Sequence, residues 1–460
     1  MDGGSAAQPA AAFWRVLAAQ KPDRSAHRTL TWTQAVLLGV LAFVFVEALV
    51  SDWRITLTLI YILAAFIFTL SIAWRLLAAA AALARAPTRM EALLTGLPRY
   101  TVICPLRREA AVLAELIAAL DRIDYPRASL QILIVLEEDD AETRAAFEAL
   151  KLAPPYQAVL VPLEGPPTKP KALNFALQAA SGEFSVVYDA EDRPHPQQLR
   201  AALAAFKHAP NIACVQAPLL IDNTEASWIS AQFAAEYAIQ FGVILPFLAQ
   251  LKLPMPLGGT SNHFRTNILR EIGGWDSYNV TEDADLGYRL AAHGYNINVI
   301  QHPTFEEAPI TVRAWINQRT RWIKGHLQTW LVLMRNPFRT YAELGFRGFG
   351  AMQLVLAGGL LAAFAHGPLA LLLLVTTFTP INLLGPQDIA LTVFGLATAF
   401  YANLVSAVAT RDLRVIGAAA TMPFYWPLTT IAAWMALFDL ITRPHYWAKT
   451  THGLSARPAT

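Results

Sequence analysis

Long apolar runs alternate with a mixed central region along the chain. Two apolar runs come first, over residues 34–50 and 55–83, and only four residues, Ser-Asp-Trp-Arg at 51–54, separate them. About 20 apolar residues are enough to span a bilayer. The pattern therefore predicts two transmembrane helices within residues 34–84, and the short connection predicts that they form a hairpin.

Basic residues flank this hairpin on both sides: Arg15, Lys21, Arg24 and Arg28 precede it, and Arg85, Arg89, Arg99, Arg107 and Arg108 follow it. Arg and Lys next to membrane spans are retained on the cytoplasmic side. We therefore expect both ends of the hairpin to face the cytoplasm, with residues 1–33 as a cytoplasmic N-terminal segment. No cleaved signal peptide is expected, because no short apolar core with a small-residue cleavage site is present.

Residues 99–330 have the character of a charged, mixed domain. Short β-rich runs near residues 100–104, 130–136, 158–162 and 184–188 alternate with helical patterns over 109–123, 141–150 and 171–180. This alternation predicts an α/β domain with a mainly parallel sheet covered on both faces. In such sheets ligands bind beyond the carboxyl ends of the strands.

The chain becomes apolar again after residue 330. Residues 331–347 mix Leu, Trp and Phe with Arg and predict an amphipathic helix at the membrane interface. Residues 349–410 predict two further transmembrane helices, with a candidate break at His366-Gly367-Pro368. Residues 415–440 contain two prolines, so they form either a further span or a broken interfacial helix. A cytoplasmic tail, 441–460, fits an even number of crossings, and we predict four.

Composition agrees with a membrane protein, since 55% of the residues are hydrophobic and only 15% are charged. The net charge of +2 gives no support to nucleic-acid binding. Two cysteines, Cys104 and Cys214, indicate no disulfide framework and fit a reducing compartment.

Acidic clusters follow two of the predicted strands. Glu-Glu-Asp-Asp occupies 137–140, where a solvated turn is the alternative interpretation. Asp189, Glu191 and Asp192 follow the strand at 184–188, and carboxylates at this spacing can share Mg²⁺ or Mn²⁺. The alternative is a helix N-cap, because Asp192 precedes Pro194 and acids favour helix starts.

A third cluster, Thr281-Glu282-Asp283, opens a helical pattern. Asp283 is a candidate general base for an acceptor hydroxyl, and capping by Thr281 is the alternative. Gln318-Arg319-Thr320-Arg321-Trp322 follows, with two arginines suited to a diphosphate and a tryptophan suited to a sugar ring. A basic membrane flank is the alternative for this run.

The order of these motifs resembles the family-2 processive glycosyltransferases, the group of cellulose, curdlan and hyaluronan synthases. Asp189-Ala-Glu191 looks like the family's metal-binding D-x-D, with Glu in place of the second Asp. Thr281-Glu-Asp283 matches its T-E-D, and residues 318–322 match Q-x-x-R-W. Together with Gly273-Gly274-Trp275, the resemblance covers about residues 99–322. The tail Tyr446-Trp-Ala-Lys449-Thr450 is loosely similar to a gating loop.

The resemblance implies a GT-A-type (Rossmann-like) catalytic domain inserted between transmembrane helices, and roles for individual residues. The catalytic pair is Asp283 with Glu282, and the metal ligands are Asp189, Glu191 and Asp192. The acceptor-binding residues are Gly259, Thr260, Ser261, Gln318 and Trp322. The donor-binding residues are Pro105, Arg108, Glu109, Glu137, Glu138, Asp139, Lys169, Asp189, Arg319 and Arg321.

These features predict an inverting membrane glycosyltransferase of the bacterial inner membrane, with its catalytic domain in the cytoplasm. It would use a nucleotide-sugar donor, favoured as a UDP-sugar, with Mg²⁺ or Mn²⁺, and extend a saccharide processively with export through the bilayer. The first alternative is addition of a single sugar to a lipid-linked acceptor. The second alternative is a non-catalytic transporter or scaffold. The sequence leaves the sugar, the linkage and the oligomeric state open.

Overall fold

The computed structural model describes residues 10–85, 96–207, 209–380 and 384–447. The chain divides into two compact units. The first comprises Met1–His27, Met90–Ala217 and Pro256–Thr304, and the second comprises Arg28–Arg89, Pro218–Met255 and Phe305–Thr460. The α/β unit is therefore narrower than the predicted range 99–330. Residues 218–255 and 305–330 belong to the helical unit, and the N-terminal residues belong to the α/β unit.

A seven-stranded mixed sheet organises the first unit. Its strands, in chain order, are β1 (Tyr100–Leu106), β2 (Leu130–Glu137), β3 (Tyr156–Val161), β4 (Phe184–Val187), β5 (Ile212–Gln216), β6 (Asn262–Arg265) and β7 (Asn296–Val299). Their order in the sheet is β3-β2-β1-β4-β6-β5-β7. All pairs are parallel except those of β6, which runs antiparallel to both β4 and β5. The chain switches direction across the sheet between β1 and β4, where an open α/β sheet forms its ligand crevice.

Helices cover this sheet, and their bounds are Val16–Gln20, Leu113–Asp121, Ala141–Ala149, Lys169–Ala179, Gln198–Lys207, Thr266–Glu271 and Glu282–Ala292. Short 3₁₀ turns span Ala10–Arg15, Pro22–Arg24 and Arg127–Ser129. β1 lies between β2 and β4 in the sheet. Its Val102 and Cys104 belong to one buried apolar core together with Ile132 and Ile134 of β2 and Val186 of β4. Two-residue and three-residue strands occur at Arg193–Pro194, Leu219–Ile221 and Thr304–Glu306.

The second unit is helical. Four helices are Trp32–Leu83, Val312–Leu333, Pro386–Thr410 and Met422–Thr442, and a 3₁₀ segment, Leu413–Thr421, precedes the last of them. Two further helical stretches contain a π-helical turn. The first runs from Trp228–Ile239 through Gln240–Ile244 into Leu245–Gln250, and the second runs from Pro337–Met352 through Gln353–Ala357 into Gly358–Phe378. Within the described residues, five helical stretches are long and apolar enough to cross a membrane. One of them, Trp228–Gln250, lies in a region that the sequence pattern assigned to the central domain.

The first apolar stretch bends back on itself. Helical geometry persists from Trp32 to Leu83 except at Asp52, whose φ of −153° and ψ of 92° are extended. The Thr56 hydroxyl donates to the carbonyl oxygens of both Ala48 and Asp52, each at 2.9 Å. A straight helix would separate residues 48 and 56 by about 12 Å at 1.5 Å per residue. The helix therefore bends sharply at Asp52, and the hairpin of two membrane spans stays a prediction.

Pro368 lies inside helix Gly358–Phe378, which continues without the break expected at residues 366–368. Proline disrupts the helical hydrogen bond one turn before it. Thr430 of helix Met422–Thr442 repairs this gap: its hydroxyl accepts a bond from the Gly367 N–H at 2.8 Å and donates to the Ala363 carbonyl at 2.7 Å. Neighbouring hydroxyls commonly allow proline within apolar helices in this way.

The predicted interfacial element, 331–347, is divided in the structure. Its first three residues complete helix Val312–Leu333, and a new helix begins at Pro337. Asn336 caps that helix by accepting the Arg339 N–H at 3.0 Å. Gly345, at φ 68°, then interrupts the helical geometry. Phe338 and Phe346 are 85% and 78% exposed, and such exposed aromatics among arginines are typical of an interfacial helix.

Candidate active site

Lys169 and Asp189 meet at the carboxyl ends of the central strands. Lys169 is the first residue of helix Lys169–Ala179, and Asp189 follows β4 by two residues. The Lys169 ammonium lies 2.6 Å from Asp189 Oδ1 and donates to the Gly259 carbonyl, also at 2.6 Å. Burial disfavours the ammonium, but the carboxylates of Asp189, Asp283 and Glu282 outweigh it and raise the pKa of Lys169. The lysine therefore stays charged beside this carboxylate cluster.

Asp192 holds the loop that follows β4. Its Oδ2 accepts the Asp189 N–H at 2.7 Å and also the hydroxyl of Thr260. The side chain is buried, and among the described residues its Oδ1 has no hydrogen-bond partner. Burial and the charges of Asp189 and Glu191 raise the pKa of Asp192 well above its usual range. Asp192 therefore holds the backbone of Asp189 through one carboxylate oxygen, and its role as a metal ligand stays a prediction.

Glu282 and Asp283 begin the helix Glu282–Ala292 and are both buried. The indole N–H of Trp275 donates to Asp283 Oδ1 at 3.1 Å. Burial and the charge of Glu282 raise the pKa of Asp283 well above its usual range, and the charge of Lys169 and the Trp275 N–H oppose this rise. The raised pKa makes the Asp283 carboxylate a stronger base than an exposed aspartate.

Asn174 connects helix Lys169–Ala179 to the loop that carries Trp275, and it was not among the predicted site residues. Its side-chain carbonyl accepts the Trp275 N–H at 2.9 Å, and its amide donates to the Trp275 carbonyl at 2.7 Å. Gly274 makes the close approach possible: its φ is +64°, and a Cβ there would lie 2.3 Å from Asn174 Oδ1. Asn174 ends the run Lys169-Pro-Lys-Ala-Leu-Asn174, and this asparagine five residues after Lys169 was the available signal for the contact.

The loops after β1 and β2 form a second set of predicted donor residues. Pro105 belongs to β1 and pairs in register with Val135 of β2. The Arg108 N–H donates to the Asp140 carboxylate, which also caps helix Ala141–Ala149, and the Glu109 N–H donates to the Thr143 hydroxyl at 3.0 Å. The two loops are therefore tied together through backbone amides.

Three acidic residues near the end of β2 separate into two groups. Glu138 and Asp139 are exposed, and Asp139 lies 3.6 Å from Arg107. Glu137 instead points inward and forms a buried ion pair with Lys171 at 3.0 Å. Lys171 also donates to the Pro162 carbonyl at 2.9 Å. Glu137 is thus a core residue rather than the donor-binding residue that was predicted, because its carboxylate is already paired and inaccessible.

The hydroxyls predicted to bind an acceptor at residues 260 and 261 are both buried. Thr260 donates to Asp192 and to the Val187 carbonyl, and Ser261 donates to the Thr304 hydroxyl at 2.6 Å. These side chains stabilise the loop rather than face an acceptor. A Cβ at Gly259 would meet no atom within 4 Å, so the open edge of this loop lies at Gly259.

The Gln-Arg-Thr-Arg-Trp motif lies on helix Val312–Leu333 of the helical unit. Arg319 forms a two-pronged ion pair with Glu236, at 2.7 and 2.6 Å, and its guanidinium lies 4.8 Å from the Trp322 ring centre. The charge of Glu236 outweighs burial and raises the pKa of Arg319. Tyr425 donates to Glu236 at 2.7 Å and completes the cluster. Arg319 is therefore engaged by a carboxylate in this structure, and its assignment to donor binding stays a prediction.

The other motif residues differ in their surroundings. Trp322 is half-buried and stacks on Tyr237, with ring centres 6.2 Å apart. The Arg321 guanidinium lies 4.5 Å over the ring of Trp447, at the end of the described chain. Gln318 is half-buried on the same helix. Residues 448–450 of the tail that resembles a gating loop lie outside the described residues.

The donor atoms near β4 suit a divalent cation that is shared with a phosphate ligand. Within the described residues, no three His, Cys, Asp or Glu side chains converge as a ready-made metal site. Mg²⁺ is commonly bound by one or two carboxylates, with waters and substrate phosphates completing the shell. Asp189 and Glu191 are partly exposed at the strand end, and Asp189 already attracts the Lys169 cation. These two residues fit a metal of that kind.

A mixed sheet of this order, with carboxylates and a lysine at its central strand ends, defines a GT-A-like glycosyltransferase fold. The chain belongs to the glycosyl transferase family group 2, whose model matches residues 186–437. This confirms the predicted family, fold class and enzyme class. The narrower likeness to cellulose and hyaluronan synthases stays a prediction.

Relatives of this family include several named enzymes. A Bacillus subtilis protein named as a probable glycosyltransferase is 24% identical over 53% of this chain and 59% of its own length. A beta-monoglucosyldiacylglycerol synthase of Synechocystis is 25% identical over 59% of this chain and 58% of its own length. The chain thus spans about three fifths of these relatives. A mannosyltransferase of Pyrobaculum calidifontis, solved with GDP-Man and Mn²⁺, has a TM-score of 0.47 at 22% identity, covering 79% of this chain and 98% of its own.

Proposed function

We propose that this chain is an inverting membrane glycosyltransferase that moves a hexose from a nucleotide-sugar onto a saccharide. The observation that supports this most directly is the cluster of Lys169, Asp189 and Asp283, in which a cation and a general base share one strand-end site. Asp283 takes the proton of an acceptor hydroxyl, whose oxygen attacks the anomeric carbon. The nucleoside diphosphate leaves from the opposite face, so the configuration inverts.

The donor's diphosphate would lie next to Lys169, whose charge favours anions. Asp189 and Glu191 would hold Mg²⁺ or Mn²⁺, and such an ion offsets the negative charge of a departing diphosphate. The exposed Glu138 and Asp139, beside Arg108 and Pro105, are the proposed nucleotide end of the site. A UDP-sugar is our first choice of donor, and the GDP-Man complex of the mannosyltransferase makes a GDP-sugar the necessary comparison.

The acceptor is proposed to be a growing saccharide that is exported between the apolar helices as it lengthens. The partly exposed indole of Trp322 supports this, because aromatic faces stack on sugar rings. The basic flanks of the hairpin support a cytoplasmic catalytic unit at a bacterial plasma membrane. A lipid acceptor is the second candidate, favoured by relatives named beta-monoglucosyldiacylglycerol synthase.

Purified full-length protein in lipid nanodiscs tests both candidates. UDP- and GDP-hexoses are supplied in turn with Mg²⁺, Mn²⁺ or EDTA, and with either an oligosaccharide or diacylglycerol. We expect nucleoside diphosphate release from one donor and its loss in EDTA. Products of increasing length support processive synthesis, and one labelled glycolipid supports single addition. Absence of release from every donor with folded protein would reject the proposed activity.

Replacing Lys169 by Met is expected to lower kcat/KM for the donor about tenfold to a hundredfold, because a charge-assisted bond to an anion contributes about 1.5–3 kcal/mol. The melting temperature should fall less than in Lys171→Met, since the side chains of Lys169 and Asp189 are 14% and 28% exposed, against 2% and 6% for Lys171 and Glu137. Lys171→Met is the matched contrast: it leaves Glu137 buried without its partner. That variant should lose stability first. Steady-state kinetics and thermal melts of both variants measure the difference, and an unchanged donor kcat/KM in Lys169→Met would contradict the role.

A further inference from the structure

Residues 13–26 form a strap on the α/β unit, which we call the N-terminal strap. It contains Phe13, Trp14 and Leu17, which are buried and only 3–9% exposed. The sequence pattern assigned these residues only to a cytoplasmic N-terminal segment. Burying three large apolar side chains contributes several kcal/mol to the attachment of this segment, so the strap is a packed part of the unit.

The first half of the strap packs on helix Lys169–Ala179 and the loop before it. The rings of Phe13 and Phe175 are tilted against each other with centres 4.8 Å apart. The Trp14 ring covers Gly165, where a Cβ would lie 2.7 Å from the indole. Phe175 is on the same helix as Lys169, so these contacts hold the element that carries the site's ammonium.

The second half of the strap is bonded to the loop that carries Trp275. The Ser25 hydroxyl donates to Asp276 Oδ1 at 2.9 Å, and the Ala26 N–H donates to Asp276 Oδ2 at 2.5 Å. Asp276 is 1% exposed, so these bonds are sheltered from water. Its neighbour Trp275 donates to Asp283, as described above. A continuous path of contacts therefore joins the strap to Asp283.

The strap also reaches the far end of the helix that Asp283 begins. The Lys21 ammonium lies 2.9 Å from Nε2 of His293, the residue that follows helix Glu282–Ala292. Arg24 is buried and its charge acts on Asp285 of the same helix. The strap thus contacts, or acts on, both helices whose first turns carry Lys169 and Asp283.

We propose that the N-terminal strap is a positioning element for the transferase site, and that Asp276 is its principal positioning residue. Asp276 does not touch the reacting atoms; it fixes Trp275 and through it the Asp283 carboxylate. Displacing a catalytic group by about 1 Å can cost about a hundredfold in rate. This inference rests on the proposed function, because it assigns the strap to that same site.

The test uses full-length protein carrying Asp276→Ala, with Asp121→Ala as the matched control. The Asp121 carboxylate accepts from Arg127 and from the Tyr156 hydroxyl, at the exposed edge of the unit, and neither partner belongs to the strap. Asp276→Ala is expected to lower kcat about tenfold or more while the donor KM stays within about twofold. Backbone hydrogen exchange should accelerate in residues 273–292 and remain unchanged in β2. The control should leave kcat and this exchange pattern as in wild type.

Ser25→Ala is the milder second variant and decides the matter if Asp276→Ala fails to fold. It removes one of the two bonds that the strap makes to Asp276 and should lower kcat about twofold to tenfold. An unchanged kcat in both variants overturns the inference, and so does faster exchange throughout the unit, which indicates general destabilisation. If wild-type protein turns over no donor, the proposed function fails. Faster exchange confined to residues 273–292 then still supports the contact path, and unchanged exchange rejects it.

Discussion

Replacing Asp283 by Asn is expected to reduce kcat by about a hundredfold to ten-thousandfold, the range that a positioned general base contributes. The amide keeps the size of the side chain and can still accept the Trp275 N–H, so the fold should persist. The amide cannot take up the acceptor's proton. Nucleoside diphosphate release with donor and acceptor present is the measurement, and calorimetric binding of the donor should be nearly unchanged.

The pH dependence of kcat/KM offers a second view of the same residue. Asp283 must be deprotonated to act as a base, so activity should fall as pH decreases through its pKa. Burial and Glu282 raise that pKa, which places the fall at a higher pH than for an ordinary aspartate. Full activity in Asp283→Asn, or a flat acid limb in the wild type, would remove Asp283 from the proposed mechanism.

Arg289→Ala should have the largest effect on stability. Arg289 is 2% exposed, pairs with Asp285 at 2.6 Å, and donates to the Ile272 and Gly274 carbonyls at 3.2 and 2.8 Å. Removing one partner of a buried pair costs about 3–5 kcal/mol, because the other charge stays buried. Denaturant unfolding of the α/β unit measures the loss. Arg127→Ala, which breaks an exposed pair, is the control and should cost less than about 1 kcal/mol.

The sign of the pH effect in Arg289→Ala follows from Asp285. Burial already raises its pKa to about 6, above the ordinary value of 3.8, and loss of the guanidinium raises it further. A carboxyl whose pKa is raised by folding favours the native state when protonated, so that contribution disappears as pH rises. The stability difference from wild type should therefore widen between pH 5 and pH 8, and a constant difference would contradict it.

Local patterns were sufficient for the first four strands of the sheet, β1 to β4, and for the acids that follow β2 and β4. Strands of buried β-branched residues followed by Asp189, and a helix opened by Glu282 and Asp283, are readable because side-chain periodicity and helix starts depend on neighbours in the chain. The same holds for the apolar runs, whose length alone makes them candidates for membrane spans. The α/β fold class and the enzyme class followed from the order of these motifs.

Only the tertiary structure decided which carboxylate each lysine and arginine pairs with. Nothing local distinguishes Lys169, which faces Asp189, from Lys171, which is buried against Glu137; their helix turns one toward the site and the other toward the core. Nothing local predicts that Arg319 pairs with Glu236, which lies 83 residues away in the chain. Such pairings depend on which surfaces pack together, and burial then makes an unpaired charge too costly to leave.

The sequence by itself therefore determined strands β1 to β4, the family, and the places of the acidic clusters after a strand and at a helix start, because these follow from short-range periodicity and from motifs in order. Tertiary structure alone decided which carboxylates face the site and which form buried ion pairs or hydrogen bonds. It also placed the N-terminal strap, since the bonds from Ser25 and Ala26 to Asp276 join residues about 250 positions apart. Contacts between residues so far apart in the chain depend on the stability of the whole fold, and they produce no periodic pattern in the sequence.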